Sequence, residues 1–266
     1  MGRKVKVFDY LKVDLIRAMW SWRFLIGILG VCLVMYIASL EGIASDTNVT
    51  YVVWLIVYGM LFMISLVFSA FPFAGCFCED FEQKFAYSQI ERGSLKSYAI
   101  AKVIAIMFVA SITMMLGMVL YVSLLHIKLP WFSEEDAICQ SALTLGGFRA
   151  ILQKEWYYLY FALFGLQYGI LAGILALLAA YVSLYINNKL LVLSVPFMSF
   201  YLISYYSRAL FGDLEKINLI YIFNATFNIW DNDIFSFGYA VLVGLIFMII
   251  LGSLIFAKLK RKMNYE

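Results

Sequence analysis

The sequence predicts an all-α integral membrane protein with six transmembrane helices and both ends in the cytoplasm, on three observations. Of its 266 residues, 64% are hydrophobic and only 14% are charged, with mean hydropathy +0.89. A soluble domain is roughly half apolar and a quarter charged, so lipid has to cover part of this apolar surface. Second, six runs reach the ~20 apolar residues that span a bilayer. They are Trp22 to Leu40, Tyr51 to Ala74, Tyr98 to Leu125, Tyr157 to Tyr185, Leu190 to Tyr206 and Phe237 to Ala257. Third, the cations are unevenly shared. With the N-terminus inside, 15 of the 20 lysines and arginines fall on the inner side. Only Lys128, Arg149, Lys154, Arg208 and Lys216 fall outside. Cytoplasmic loops collect such an excess.

Taken in order, residues 1–21 read as an amphipathic helix lying in the membrane interface. Phe8, Leu11, Leu15 and Met19 share one face, with Ile16 and Trp20 beside them. Arg3, Lys6, Asp14 and Arg17 fall mostly on the other face, and Lys12 has to snorkel out of the apolar stripe. No A-x-A-like cleavage site follows the first apolar run, so that run is expected to stay as a span. Residues 22–257 form one six-span bundle, and 258–266 a basic cytoplasmic tail. Trp20, Trp22, Trp54 and Trp156 fall near span ends, where indole prefers to sit. The fifth span is the shortest and carries Pro196, which a membrane helix tolerates when neighbours satisfy the freed carbonyl. The outer loops, 126–156 and 207–236, are expected to dip back into the interface as short helices. The first of them carries Glu134, Glu135 and Asp136, read as a solvated turn.

Much chemistry is excluded. The single histidine, His126, and the cysteines Cys32, Cys76, Cys78 and Cys139 do not make a zinc site or a disulfide framework. Neither a nucleophile elbow nor a nucleotide-binding G-x-x-x-x-G-K-[ST] loop occurs. No catalytic, metal or nucleic-acid site is expected. No carboxylate, lysine or arginine lies in the middle of a predicted span, where ion-coupled carriers place them. The chain therefore lacks an evident energy source, which points to a partner.

Two features carry information. Gly165, Gly169 and Gly173 repeat every fourth residue, a groove for close helix approach; packing within the chain is favoured over a dimer contact. After the second span, Glu79-Asp80-Phe81-Glu82 is followed by Phe85, Ile90 and Arg92-Gly93-Ser94. Phe81 and Phe85, four apart, would share one face of a short helix, a docking knob for a soluble partner.

With these residues the chain resembles the membrane subunit of a type-2 ABC exporter, of the bacterial kind that exports peptides or toxins. The resemblance spans nearly the whole chain. It rests on the acidic stretch, the helix through Ile90, Arg92-Gly93-Ser94, the Tyr98 and Lys102 pair opening the third span, and the Asn187-Asn188-Lys189 turn before Pro196-Phe197. The family's Gly-Thr after the acidic stretch is replaced here by Lys84-Phe85. The resemblance implies a homodimer-type permease in the plasma membrane, coupled to two copies of a separate cytoplasmic ATPase that binds ATP and Mg. Glu79, Asp80, Phe81, Glu82, Phe85, Ile90, Arg92 and Gly93 would form the coupling helix on that ATPase. Tyr36, Tyr58, Tyr201 and Tyr205 would line the path of an amphipathic cargo, a peptide, toxin or drug-like molecule, with a lipid-linked glycan as the other cargo class. The rival reading is a stand-alone immunity or stress protein, or a channel, with no ATPase.

Overall fold

Apolar runs in lipid have no water to bond their peptide groups, so helices that satisfy those groups internally are favoured. The computed structural model describes residues 6–40, 47–212, 214 and 216–265, and among these every regular element is a helix. In chain order they are α1 (Val7–Met19), α2 (Trp22–Ser39), α3 (Val49–Val57), α4 (Phe62–Ala70), α5 (Cys76–Glu82), α6 (Phe85–Arg92), α7 (Leu95–His126), α8 (Ala137–Thr144), α9 (Arg149–Leu152), α10 (Tyr157–Val182), α11 (Lys189–Phe211), α12 (Leu219–Phe223) and α13 (Asp233–Tyr265). Five of them, α2, α7, α10, α11 and α13, are long and apolar enough to cross a membrane, six if the bent pair α3 and α4 counts as one span. The chain is a multi-pass membrane protein.

Helix starts follow short polar side chains that replace a missing backbone acceptor. Ser21 accepts from Phe24 N, Asn48 from Tyr51 N and Ser94 from Ser97 N. Asp136, Asn188 and Asn218 do the same for Ile138, Leu190 and Ile220. Asn188 lies in the turn that the sequence places between the fourth and fifth spans. The expected second span, Tyr51 to Ala74, is broken. Helices α3 and α4 meet at 83° across Tyr58–Leu61. Pro196 lies inside α11 without breaking it. Helix α13 continues into the expected basic tail, through Tyr265.

Helices α7 and α10 form the centre. Gly165, Gly169 and Gly173 face Met115 and Met118, Ser111, and Met107 of α7. A Cβ on Gly169 would lie 2.6 Å from the Ser111 carbonyl oxygen, so the small residues set the helix separation. Ser111 Oγ donates to Gly169 O at 2.9 Å. The glycine stripe thus packs within the chain. In α10 78% of the apolar window is buried, against 22% in each of α11 and α13. Those two helices are peripheral and expose wide apolar faces.

Candidate functional site

The site lies at the end of the bundle where α1, α5, α6 and the start of α7 meet. Helix α1 turns Tyr10, Asp14 and Ala18 inward and leaves Phe8, Ile16, Met19 and Trp20 exposed. The apolar stripe read from sequence therefore straddles two environments. Leu11 and Leu15 pack on the core. Asp14, expected on the outward polar face, is buried. Tyr10 packs edge-on against Tyr98 of α7, with ring centroids 6.3 Å apart.

Asp14 points inward because of Lys102. This lysine sits near the start of the third span and is fully buried. Its Nζ lies 2.7 Å from Asp14 Oδ1 and 2.8 Å from Asp80 Oδ2. Asp80 also accepts from Arg17 Nη1 at 2.5 Å and from the Tyr98 hydroxyl at 2.6 Å. Burial pushes the Asp80 carboxyl up, but Lys102, Tyr98 and Arg17 together outweigh it and hold Asp80 below the usual carboxylate range. Asp14 has Lys102 as its one close cation, and there burial prevails, so its carboxyl sits above the usual range.

Around this core lies a wider ring. Glu79 pairs with Arg17 at 3.3 Å, with Lys189 at 3.8 Å and closely with Arg23, and Glu82 pairs with Lys189 at 3.1 Å. Four carboxylates (Asp14, Glu79, Asp80 and Glu82) meet four cations (Arg17, Arg23, Lys102 and Lys189), so the cluster is neutral. It joins α1, α2, α5, α7 and α11. Removing one member of a buried ion pair costs about 3–5 kcal/mol, because the partner is left uncompensated.

The segment from Cys76 to Arg92 differs from the single helix read in the sequence. It breaks after Glu82, and Lys84 takes a left-handed conformation at φ 55°. Phe81 and Phe85 therefore belong to different helices and do not form one stripe. Phe81, half-buried, meets the Tyr87 ring edge-on at 6.0 Å and lies under Lys262 Nζ at 3.9 Å. Phe85 lies under the Arg17 guanidinium, 5.3 Å away. Asp80, expected at a docking surface, is fully buried and spent inside the chain. Glu82, Gln83, Lys84 and Glu91 stay exposed and Ile90 is half-buried. The side chain of Arg92 lies outside the described residues. Gly93 is needed where it stands, since a Cβ there would collide with the Tyr10 hydroxyl. That hydroxyl donates to Gln89 O at 2.6 Å and pins α6 to α1.

The four tyrosines expected along a pathway separate. Tyr201 and Tyr205 stack on α11 with centroids 6.2 Å apart. Tyr201 lines a groove of about 520 Å³ with Met60, Leu61, Phe197, Met198 and Leu202, between the break in the second span and α11. Tyr58 lies in the break and lines an adjoining groove of about 580 Å³. Tyr36 is exposed on α2 and lines neither.

At the other end, α12 reaches into the bundle. Gln167 Nε2 donates to Ile222 O at 3.0 Å, and the Tyr168 hydroxyl to Asn224 Oδ1 at 2.6 Å. Thr226 donates to the same oxygen, and its hydroxyl bonds Tyr58 at 2.6 Å. Between α7 and α10, Asp136 caps α8 and also accepts from Asn48. Cys139 of α8 is buried and donates to Asn48 Oδ1. Among the described residues no group of His, Cys, Asp and Glu is suited to hold a metal ion.

Sequence reasoning missed Asp14, Arg17 and Gln167, and it counted Lys102 among the inner-side cations at the opening of the third span without a counter-charge. The available signal was Lys102 itself, a cation one turn inside an apolar run, which requires a counter-charge. No protein-family model matches the chain, and neither a curated protein nor a solved structure is similar to it.

Proposed function

We propose that the chain is the transmembrane subunit of an ATP-driven ABC exporter, moving an amphipathic cargo such as a peptide, toxin or drug-like molecule across the plasma membrane. On this reading both termini and the Cys76–Arg92 segment face the cytoplasm. Two permease copies work with two copies of a separate ATPase, which binds the ATP and Mg. One observation carries the reading. The segment between the second and third spans is a pair of short helices, exposed at Glu82, Gln83, Lys84 and Glu91 and tied by ions to four other helices. A knob fixed to several spans at once transmits a push as a rigid-body movement. Support also comes from the break at Tyr58–Leu61. Non-helical backbone at membrane depth is tolerated where protein or water covers it rather than lipid. All four residues of the break are exposed in the single chain. A pathway between two copies would cover them.

The test is purification from native membranes in mild detergent, with mass spectrometry of co-purifying chains. A stoichiometric ATPase that Lys84→Glu releases supports the reading. A partner-free preparation, repeated at low detergent, overturns it. It would favour a stand-alone immunity or stress protein or a channel, a reading that draws on the burial of Asp80, since a residue spent inside the chain is lost to docking.

A further inference from the structure

Helices α7 and α13 leave a groove of about 390 Å³ between them. Ala99, Ile100 and Val103 form one wall, and Met248, Gly252 and Phe256 the other. Gly252 lets the helices approach, since a Cβ there would lie 3.3 Å from Val103. The only cation in the lining is Lys96, at one extremity. The Val103–Gly252 contact sets the antiparallel register. Seven residues back along α7 and seven forward along α13 bring Lys96 level with Leu259, beside Lys260. Lys260 also lies four residues beyond Phe256, on the same helix face as the groove wall. Both lysines are exposed, and neither has an ion-pair partner among the described residues.

An apolar trough along two spans, with unpaired cations at one extremity, matches an amphiphile with an apolar tail and an anionic head. We propose that this groove binds an anionic glycerophospholipid, one acyl chain lying between α7 and α13 and the phosphate group against Lys96 and Lys260. Basic pockets between membrane helices hold anionic headgroups in this way. The grooves beside Tyr58 and Tyr201 have no cation in their lining, and the proposal does not extend to them. It is independent of whether an ATPase partner exists.

The test uses the purified full chain in mild detergent, titrated with dioleoylphosphatidylglycerol or dioleoylphosphatidylcholine, with retained lipid counted by native mass spectrometry. The wild type should retain the glycerol lipid over the choline lipid. Lys96→Gln combined with Lys260→Gln should abolish that preference, and Lys96→Arg alone should preserve it. Ile100→Trp, which fills the trough, should reduce retention of both lipids. Glycerol phosphate, which has the head without the tail, should displace neither. Equal retention of the two lipids by the wild type, an undiminished preference in the double variant, or displacement by glycerol phosphate would each overturn the assignment. Circular dichroism keeps loss of fold separate from loss of binding.

Discussion

The two ends of the bundle solve the same problem with different chemistry. At one end, five helices converge on eight charged side chains, and Lys102 lies buried between Asp14 and Asp80. At the other, α12 is held to α10 and to the break in the second span by neutral amides and hydroxyls centred on Asn224. One peripheral ion pair, Arg149 to Asp233 at 3.9 Å, stands beside that second network. Charges buried in a low dielectric are strong when paired and costly when orphaned, so the first arrangement is close to all-or-none. Neutral bonds contribute about 1 kcal/mol each and fail singly. The end with the Cys76–Arg92 segment is therefore built to move as a block, and the other end to adjust piecemeal.

The largest effect should come from Lys102→Met, which strands the buried Asp14 carboxylate and leaves Asp80 with Arg17 as its one cation. It is expected to lower stability by about 3–5 kcal/mol. Thermal unfolding in detergent, followed with a thiol-reactive dye, measures this directly because all four cysteines are buried in the folded protein. A change below about 1 kcal/mol would remove the contrast between the ends. Next comes Asn224→Ala, which leaves the donors of Tyr168 and Thr226 without their shared acceptor, at about 1–3 kcal/mol. Tyr168→Phe removes a single neutral bond and should cost about 1 kcal/mol in the same assay. If it matched Lys102→Met, the far end would be as cooperative as the charged one.

The smallest effect is a slope. As pH falls through the raised Asp14 value, the folded state takes up a proton before the unfolded chain does, so stability should rise. At lower pH, below the ordinary aspartate value near ~3.9, the unfolded chain protonates before Asp80 does, and stability should then fall through the depressed Asp80 value. Asp14→Asn should erase the first slope and keep the second. A titration of the variant that retains both slopes would assign them to other groups.

The membrane class and the central helices were legible because they depend on composition, on run length and on local signals. Ser21, Asn48, Ser94 and Asn188 mark their helix starts as short polar caps do, and the four-residue glycine period found its partner in α7. The break at Tyr58–Leu61 was not legible. It holds one glycine, no proline and no charge within a continuous apolar run, and an isolated glycine in such a run is commonly tolerated inside a helix. The ion network was illegible for another reason. Periodicity reports neighbours one turn away, while Asp14 and Lys102 are 88 residues apart. Read alone, Asp14 belongs to a polar face, and only its distant partner turns it inward. The left-handed residue Lys84 divides a stretch whose spacing suits one helix.

The order of charges along the chain bears on how the protein is made. Asp14 and Asp80 precede Lys102, so a growing polypeptide presents both anions before their shared cation is synthesised. Until then Asp80 has Arg17 as its counter-ion, and Asp14 has none. Completion of the third span supplies one and closes the N-terminal half as one assembly unit, before the fourth span threads its glycine stripe against the third.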